Sequence, residues 1–497
     1  MTSIKYFFKI NINLIQRKGM AKKDEFSRIG FIMAALGMAI GTGNIWRFPR
    51  VVTQNGGGSF IIAWLVFLFM WSMPLLIIEF TIGHHFQKGV LGSFKKGMGE
   101  KFTWMGAFVA TVSTAILFYY SVVTGWCIKY LYASAFRFKE LSSPEKYWTG
   151  FISSGHAVFY EALALLIGGM IIAYGITAGI ERVNKFIIPI LFVVLVIGVV
   201  RAITLPGGLR GLNYLFSPSL KKLGDYNLWL QALTQSTWST GAGWGLILTY
   251  AIYTSKKDDP VYTTATIGFG NNSASLLAAM LVVPTLFYAL GGNEKKLFEV
   301  LGSGNQGLTF ISVPALFKNI AFGQILLILF FLSLTFAAFT SLLSLLELPV
   351  RILIDTGLKR RKAVLTIALF SFILGVPSAL SLKVFNNQDF TWSLGLMLSG
   401  FFFSLFVIKY GVKEFREELI NKISRVKLGR YFDFIVKYLI PVEFFAVIIW
   451  WFYQSVKLDK WYNIFGEYSL LSVLSQWGIV IIIYILINNF LSKKVAK

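Results

Sequence analysis

One apolar segment of the chain reads Gly37-Met-Ala-Ile-Gly-Thr-Gly-Asn-Ile-Trp-Arg-Phe-Pro49. Its three glycines, asparagine, arginine and proline predict a membrane helix that breaks in the middle. Unpaired backbone groups cost several kcal/mol in hydrocarbon, so a break is tolerated only where protein or a water-filled cavity satisfies them. Backbone carbonyls that face such a cavity can bind a cation.

A second apolar segment is interrupted in the same way at Gln235-Ser-Thr-Trp-Ser-Thr-Gly-Ala-Gly-Trp-Gly245. Two broken helices in corresponding halves of a chain are the sequence signature of a secondary transporter. The alternative is a small-residue packing face formed by Gly37 and Gly41. Asn44, Arg47 and the second break favour the transporter.

The composition is that of a protein with many membrane spans. The chain has 497 residues, of which 56% are hydrophobic, and its mean hydropathy is +0.66. Its separate apolar segments predict an all-α polytopic protein with twelve transmembrane helices. The predicted segments are 28–52, 59–83, 104–136, 156–174, 183–204, 227–254, 262–290, 322–354, 363–382, 389–411, 434–456 and 468–491.

The positive charge predicts the orientation of the chain. With twelve spans both termini share one side, and that side carries about 30 of the 47 Lys and Arg residues. The positive-inside rule therefore places both termini in the cytoplasm of a cell-membrane protein. The net charge of +24 is spread over membrane-flanking loops, which favours contact with lipid over nucleic-acid binding.

The chain is predicted to form one transmembrane domain over 28–491, with cytoplasmic tails at 1–27 and 492–497. If each break lies in the first helix of one of two equivalent halves, 28–204 and 227–411 form a 5+5 inverted repeat and 434–491 adds two helices. Cys127 is the only cysteine, so no intrachain disulfide is possible. No catalytic set or phosphate loop indicates an enzyme. The oligomeric state is left open, with a homodimer as one alternative.

Several motifs, in order and spacing, resemble those of the neurotransmitter:sodium symporters, and within that family the prokaryotic amino acid transporters related to the bacterial leucine transporter. They are Gly41-Thr-Gly-Asn-Ile-Trp-Arg-Phe-Pro49, Asn55-Gly-Gly-Gly-Ser-Phe60, Glu79-Phe-Thr-Ile-Gly83, Tyr119-Tyr120, the 235–245 break and Thr340-Ser341. The resemblance implies discontinuous helices 1 and 6 and sodium-driven uptake of a small molecule by alternating access.

The resemblance implies two sodium sites built from neutral oxygens, the ligands that this hard cation prefers. The first comprises Ala39, Asn44, Ser239 and Asn271, with room for a substrate carboxylate. The second comprises the carbonyls of Gly37, Ile40 and Ala337 and the hydroxyls of Thr340 and Ser341.

The resemblance also implies a substrate site. Gly41 stands where the monoamine branch has an Asp, which favours an α-amino acid that brings its own carboxylate. Tyr120 is expected to donate its hydroxyl to that carboxylate, and an apolar, aromatic wall favours a hydrophobic or aromatic side chain. The implied site residues are Met38, Ala39, Gly41, Gly43, Ile116, Tyr120, Trp238, Ser239, Gly241, Trp244, Ser341 and Leu345.

Gates and a chloride site are implied on the same basis. Arg47 and Asp389 are expected to pair on the extracellular side, above a lid formed by Trp238 over Tyr120. On the cytoplasmic side Lys22 or Arg28 is expected to pair with Asp355, braced by Tyr253. Ser275, where chloride-independent relatives have an acid, favours chloride binding with Gln235, Ser239 and Asn271. Trp64 argues against it, because it replaces a Tyr that contributes a hydroxyl.

Two alternatives remain open at this point. A proton-coupled transporter on the same scaffold would need a titratable group near the breaks, and Glu79 is the candidate. Its simpler interpretation is a buried carboxyl that bonds to the broken sixth helix. A transporter-like receptor would bind the amino acid without moving it.

Overall fold

The computed structural model describes residues 25–256, 258–318, 320–458 and 460–495, and within these ranges the chain is helical without strands. The transmembrane helices, in chain order, are α1 (Arg28–Ala39 and Gly43–Gln54), α2 (Gly58–Phe86), α3 (Glu100–Phe136), α4 (His156–Ala173), α5 (Ile176–Ile203), α6 (Tyr226–Ser239 and Leu246–Ala251), α7 (Pro260–Ala289), α8 (Gly323–Asp355), α9 (Arg360–Leu380), α10 (Leu382–Tyr410), α11 (Ile440–Val456) and α12 (Leu470–Leu486).

Eight of these, in the described part of the chain, are continuous helices long and apolar enough to cross a membrane. The two halves of α1 meet at 53°, and α12 bends by 65° into Asn488–Lys494. The helices of α6 and α11 are shorter, and α6 is broken. The predicted all-α, twelve-span fold is confirmed.

Shorter helices connect the spans or extend their ends. They are Val90–Met98, Pro144–Ser153, Gly208–Phe216, Leu220–Leu223, Glu294–Gly302, Gly304–Gln306, Val313–Phe317, Val412–Glu414 and Arg430–Phe434, with π-helical segments at Gly307–Ser312, Phe415–Asn421 and Ile435–Leu439.

Side-chain caps define where the central helices begin. The Ser27 hydroxyl accepts a hydrogen bond from the Gly30 amide at the start of α1. Asp225 caps α6, and Asp259 caps α7 immediately before Pro260. Asp and Ser satisfy the free amides of a first turn, and Pro suits the first helical position because it lacks an amide hydrogen.

Burial separates central from peripheral helices. In their most apolar windows, 83% of α3 and 72% of α8 are buried, compared with 33% of α9 and 39% of α4. The outer helices carry exposed side chains such as Leu166, Leu369 and Ile373, which suit contact with lipid tails. The most buried continuous spans, α3 and α8, both contact the break in α1, α3 through Tyr120 and α8 through Ser341.

Candidate functional site

The break in α1 spans residues 40–42 and is held by side chains. The Gly41 amide donates to Asn44 Oδ1 at 2.9 Å, and the Thr42 amide donates to the Tyr120 hydroxyl at 3.1 Å. The helix then resumes as a π-helical turn from Gly43 to Arg47. The freed amides thus have partners, as a break inside a membrane requires.

The break in α6 spans residues 240–245 and contains three glycines in left-handed backbone conformations, namely Gly241 (φ +70°), Gly243 (+87°) and Gly245 (+75°). The Gly243 amide donates to Glu79 Oε1 at 2.5 Å. The Gly243 and Trp244 carbonyls accept from Ser399 Oγ and Ser113 Oγ, each at 2.5 Å. Glu79 therefore bonds to the broken helix. Both predicted breaks are confirmed.

A small cavity of about 20 Å³ lies between the two breaks. Its lining consists of Met38, Ala39, Gly41, Thr42, Gly43, Asn44, Tyr120, Trp238, Gly241, Trp244, Leu246, Ser341 and Leu345. Ten of the twelve residues expected to contact substrate are in this set. Within the part of the chain that the structure describes, no side chain that lines it carries a formal charge.

Two of the expected residues lie outside this lining. Ile116 is fully buried on α3, one turn before Tyr120, and Ser239 belongs to the polar cluster beside the cavity. Thr42 and Leu246 line the cavity but were missed from the sequence. Thr42 could have been found, because it is the residue between the two glycines of the first break, whereas Leu246 begins a half-helix with no polar signal.

The first oxygen cluster consists of the expected residues Ala39, Asn44, Ser239 and Asn271. Asn271 Oδ1 lies 2.8 Å from the Ser239 carbonyl oxygen and 3.1 Å from the Ala39 carbonyl oxygen. Asn44 Nδ2 donates to Asn271 Oδ1 at 2.8 Å. Rotating the Asn271 amide by half a turn would exchange its oxygen and nitrogen. Without a cation, the nitrogen is the better group to face the two carbonyls, because it can donate hydrogen bonds to them. With a cation bound, the oxygen is the better group, because it can act as a ligand.

The second oxygen cluster consists of the expected carbonyls and hydroxyls at the α1–α8 contact. Ser341 Oγ lies 3.3 Å from the Gly37 carbonyl oxygen and 3.4 Å from that of Ile40. Thr340 Oγ1 lies 3.2 Å from the Ala337 carbonyl oxygen. The distances thus join the Ser341 hydroxyl to two carbonyls of α1 and the Thr340 hydroxyl to a carbonyl of α8. All five expected oxygens are neutral, the kind of donor that suits a weakly held sodium ion.

On the side where α1 begins, here called the amino-terminal side, the path to the cavity is sealed. The Phe26 amide donates to the Tyr253 carbonyl at 2.9 Å, and the Phe26 ring packs edge-on against Tyr250 at 5.6 Å. The Tyr253 hydroxyl donates to Glu347 Oε1 at 3.0 Å, and Glu347 pairs with Arg360 at 2.5 Å. The Glu347–Arg360 pair was missed from the sequence, although an acid inside a membrane span signals a partner.

The expected pairing of Arg28 with Asp355 is absent from the described residues. Asp355 pairs with Arg351 at 2.7 Å, one turn earlier on α8, and accepts from the Gly89 amide at 2.7 Å. The Arg28 guanidinium lies 5.2 Å from the centre of the Tyr262 ring. Because Arg351 is on the same helix, it reaches Asp355 without any inter-helix movement. The alternative partner Lys22 lies outside the described residues.

On the opposite side a larger cavity of about 350 Å³ lies above Trp238. Arg47 and Asp389 both line it, but no ion pair joins them among the residues that the structure describes. The Arg47 guanidinium instead lies 5.7 Å from the centre of the Trp238 ring. Trp238 and Tyr120 line the small cavity together, and Trp238 contacts Trp244 edge-on at 5.5 Å.

Of the residues suggested for chloride, Ser239, Asn271 and Ser275 lie at the first oxygen cluster, and Gln235 lies one turn before Ser239 on α6. Ser275 Oγ accepts from Asn44 Nδ2 at 2.7 Å. Gln235 and Trp64 are fully buried, and neither the Gln235 amide nor the Trp64 indole nitrogen has a hydrogen-bond partner in the described structure. Trp64 packs in one apolar cluster with Ala232, which lies one turn from Gln235.

Two broken helices that meet at a central cavity, with oxygen clusters beside it, define a secondary transporter. The model of the sodium:neurotransmitter symporter family matches residues 23–149 and 137–496. The chain belongs to this family of sodium-coupled symporters, and it is a multi-pass membrane protein.

Individual relatives agree with this assignment. An uncharacterized sodium-dependent transporter of Methanocaldococcus jannaschii is 32% identical over 459 residues, covering 86% of this chain and 90% of its own length. A sodium- and chloride-dependent betaine transporter of Caenorhabditis elegans is 24% identical over 506 residues, covering 88% and 83%. The crystal structure of MhsT in complex with L-phenylalanine has a TM-score of 0.76 and 30% identity, covering 86% of this chain and 99% of MhsT.

Proposed function

We propose that this protein couples the inward movement of sodium to uptake of a hydrophobic or aromatic α-amino acid across the cell membrane, with both termini in the cytoplasm. The observation that carries the proposal is the small cavity between the two breaks. Its lining is apolar and aromatic, uncharged, and contiguous with the first oxygen cluster through Ala39 and Asn44. L-phenylalanine bound to MhsT supports the same substrate class.

The substrate is oriented by the backbone and by Tyr120. The Tyr120 oxygen accepts from the Thr42 amide, which leaves its own hydroxyl proton to donate to a substrate carboxylate. The α-amino group meets carbonyls of the two breaks, because no acidic side chain lines the cavity. Gly41 leaves space there, since a Cβ at this position would lie 3.1 Å from both the Ser341 and Tyr120 oxygens.

Two sodium ions bind, one at each oxygen cluster. At the first cluster, the oxygens of Ala39, Ser239 and Asn271 are all hydrogen-bond acceptors and repel one another at these distances. A cation among them removes this repulsion by binding all three. Each sodium ion entering down about 100 mV releases roughly 2.3 kcal/mol, and a tenfold gradient adds about 1.4 kcal/mol. Two ions therefore support an accumulation on the order of 10⁵-fold, and one supports only several hundredfold.

Alternating access follows from the proposed inverted repeat of 28–204 and 227–411, with 434–491 appended. Sodium favours the conformation that is open on the side of Arg47 and Asp389. Binding of the substrate completes the first sodium site and favours closure of Trp238 over the substrate. Release of the substrate and sodium requires the contacts of Phe26, Tyr253 and Glu347 on the amino-terminal side to break.

Chloride binds beside the first sodium site. Trp64, Gln235 and Ser275 supply an indole N–H, an amide NH₂ and a hydroxyl, and the first two lack acceptors in the described structure. An indole N–H donates to an anion as a phenol does, so Trp64 is compatible with chloride binding. The chloride-dependent relative from Caenorhabditis elegans supports this assignment.

The decisive experiment measures uptake of labelled amino acids into proteoliposomes under an inward sodium gradient, equimolar potassium, or a pH gradient alone. We expect accumulation with sodium only, competition by hydrophobic and aromatic amino acids, and loss of uptake in Asn44→Ala and Thr340→Ala. Uptake driven by protons alone would overturn the sodium coupling. Saturable binding without uptake would identify a receptor.

Chloride is tested by replacing it with gluconate. We expect uptake by the unmodified protein to fall in gluconate, and Trp64→Phe to need a higher chloride concentration for half-maximal uptake. Trp71→Phe is the matched control, because Trp71 is also buried on α2 with an unpartnered indole nitrogen, but its ring packs against Gly400 of α10. An equal effect of both variants would assign the loss to packing.

A further inference from the structure

Asn184, on α5, has a buried amide oxygen that the proposed transport cycle does not use. The residue is completely inaccessible to solvent. Its Nδ2 donates to the Ile180 carbonyl at 2.8 Å, one turn earlier, and this bond sets the orientation of the amide. Its Oδ1 has no hydrogen-bond partner in the described part of the chain. Buried polar atoms normally have partners, so this oxygen needs an explanation.

The unpartnered oxygen is directed at the second oxygen cluster. A Cβ on Gly37 would lie 2.0 Å from Asn184 Oδ1 and 3.0 Å from Thr340 Cβ. The oxygen therefore occupies the space that any side chain at position 37 would take, beside Thr340. Both neighbours belong to the cluster, Gly37 through its carbonyl and Thr340 through its hydroxyl.

Other groups on α5 do not account for the oxygen. Lys185 is next in sequence, but its ammonium group bonds to Glu181 Oε1 at 2.5 Å and to Ser27 Oγ at 2.9 Å. A contact with the Gly37 Cα–H group is a weak hydrogen bond and leaves most of the acceptor capacity of an amide oxygen unused. A cation at the second oxygen cluster would satisfy the acceptor capacity of the Asn184 oxygen, because amide oxygens are good sodium ligands.

We infer that Asn184 Oδ1 is a further ligand of the sodium ion at the second oxygen cluster. The inference rests on the proposed function, which places an ion at that cluster. It brings α5 into a site otherwise formed by α1 and α8, so the ion joins three helices. A sixth neutral oxygen raises sodium affinity without adding charge and adjusts the size of the site, which governs discrimination between sodium and lithium.

The test compares Asn184→Ala with Asn184→Asp. Both variants lose the Nδ2 bond to Ile180, but Asp keeps an oxygen near the cluster and adds a negative charge. Asn184→Ala therefore measures the loss of the oxygen, and the sodium-to-lithium ratio of Asn184→Asp distinguishes a ligand from a charge that acts at a distance. The readouts are equilibrium binding of ²²Na⁺ and the sodium-dependent rise in thermal stability, each repeated with lithium. Thr340→Ala and Asn44→Ala serve as references for the second and first clusters.

We expect Asn184→Ala to raise the sodium concentration for half-maximal stabilisation about tenfold and to change the sodium-to-lithium ratio, and we expect the same of Thr340→Ala. Asn184→Asp should bind sodium at least as tightly as the unmodified protein, since a carboxylate oxygen is a stronger ligand. If the Ala variant does not fold, the sodium-to-lithium ratio of Asn184→Asp decides between the two roles. A charge that acts at a distance raises the affinity for both ions equally, whereas a ligand changes their ratio.

Unchanged sodium dependence in Asn184→Ala, alongside weakened dependence in Thr340→Ala, would overturn the inference and leave the symport proposal intact. Sodium independence of the unmodified protein in every readout would overturn the symport proposal itself. The two failures are therefore distinguishable.

Discussion

The two ends of the path through the central cavity are closed by different means. On the amino-terminal side, Phe26 joins Tyr253 by a backbone hydrogen bond, and Tyr253 bonds to Glu347, which pairs with Arg360. On the opposite side, the 350 Å³ cavity reaches down to Trp238, above which the Arg47 guanidinium lies.

This difference indicates which conformation the structure represents. The amino-terminal closure involves α1, α6, α8 and α9, so opening it requires helices to separate. The opposite closure is a single layer of side chains, which rotamer changes can open. Distributed contacts cost more to break than one side-chain contact, so this state is ready to exchange substrate on the side of Arg47.

The largest expected effect is a difference in thiol labelling between the two ends. Thr234→Cys places a thiol on the wall of the large cavity, and Ser344→Cys places one at a position that is 1% exposed, toward the sealed side. In sodium, we expect a charged methanethiosulfonate reagent to label the first at least about 100-fold faster, because the second requires an opening of about 3 kcal/mol.

The single native thiol makes this experiment simple, since Cys127 is completely buried and gives little background. The unmodified protein is the control, and mass spectrometry counts the labels. Equal labelling rates at the two positions would mean that the sealed side opens as readily as the other. The two ends would then not differ in how firmly they are closed.

The next effect concerns the ion pair that seals the amino-terminal side. Glu347→Gln leaves Arg360 without its carboxylate partner, and Arg360 is 20% exposed, so solvent offsets part of the loss. We expect a cost of about 1.4 kcal/mol, below the range for fully buried pairs, and a tenfold faster labelling of Ser344→Cys. Glu418→Gln is the control, because its pair with Lys422 is solvent-exposed. If both substitutions change labelling equally, the Glu347 pair has no special role in closure.

The features that could be predicted from sequence are those decided by local chemistry. Closely spaced glycines in an apolar segment predict a break wherever the helix lies, and both breaks were found this way. The twelve spans were predicted from the separate apolar segments of membrane-spanning length. The residues expected at the cavity were named from the resemblance, which includes Tyr120 and Ser341 although both are distant in sequence from the breaks. Their roles in transport remain predictions.

The features that were missed depend on partners distant in sequence. Arg360 is one of four consecutive basic residues that the sequence predicts to lie in a loop, so its charge was interpreted only as a topology signal. Its pairing with Glu347 depends on how α9 packs against α8. Asn184 carries no motif, and only the fold places its amide oxygen against Gly37.

A smaller effect concerns the space inside the small cavity, which lies between the two closed ends of the path. Gly41→Ala adds a Cβ at 3.1 Å from the Ser341 and Tyr120 oxygens, whereas no atom lies within 4 Å of a Cβ on Gly43. Overpacking of about 1 kcal/mol predicts roughly fivefold weaker amino acid binding for Gly41→Ala. Gly43→Ala is the matched control and should change binding less than twofold, as measured by competition with a labelled amino acid. A similar loss in both variants would assign the effect to backbone flexibility of the break rather than to space.

The smallest effect concerns the thin closure itself. Arg47→Gln removes the guanidinium above Trp238, and cation–π contacts at such partly exposed sites contribute about 0.5–1 kcal/mol. We therefore expect a labelled amino acid to dissociate about two- to fivefold faster from the purified protein in sodium. Arg50→Gln is the matched control, since Arg50 lines the same cavity but bonds to Asn305 at 2.8 Å and lies over no ring. If Arg50→Gln speeds dissociation as much as Arg47→Gln, the barrier lies at the Arg50–Asn305 contact, and the closure on this side is thicker than one layer of side chains.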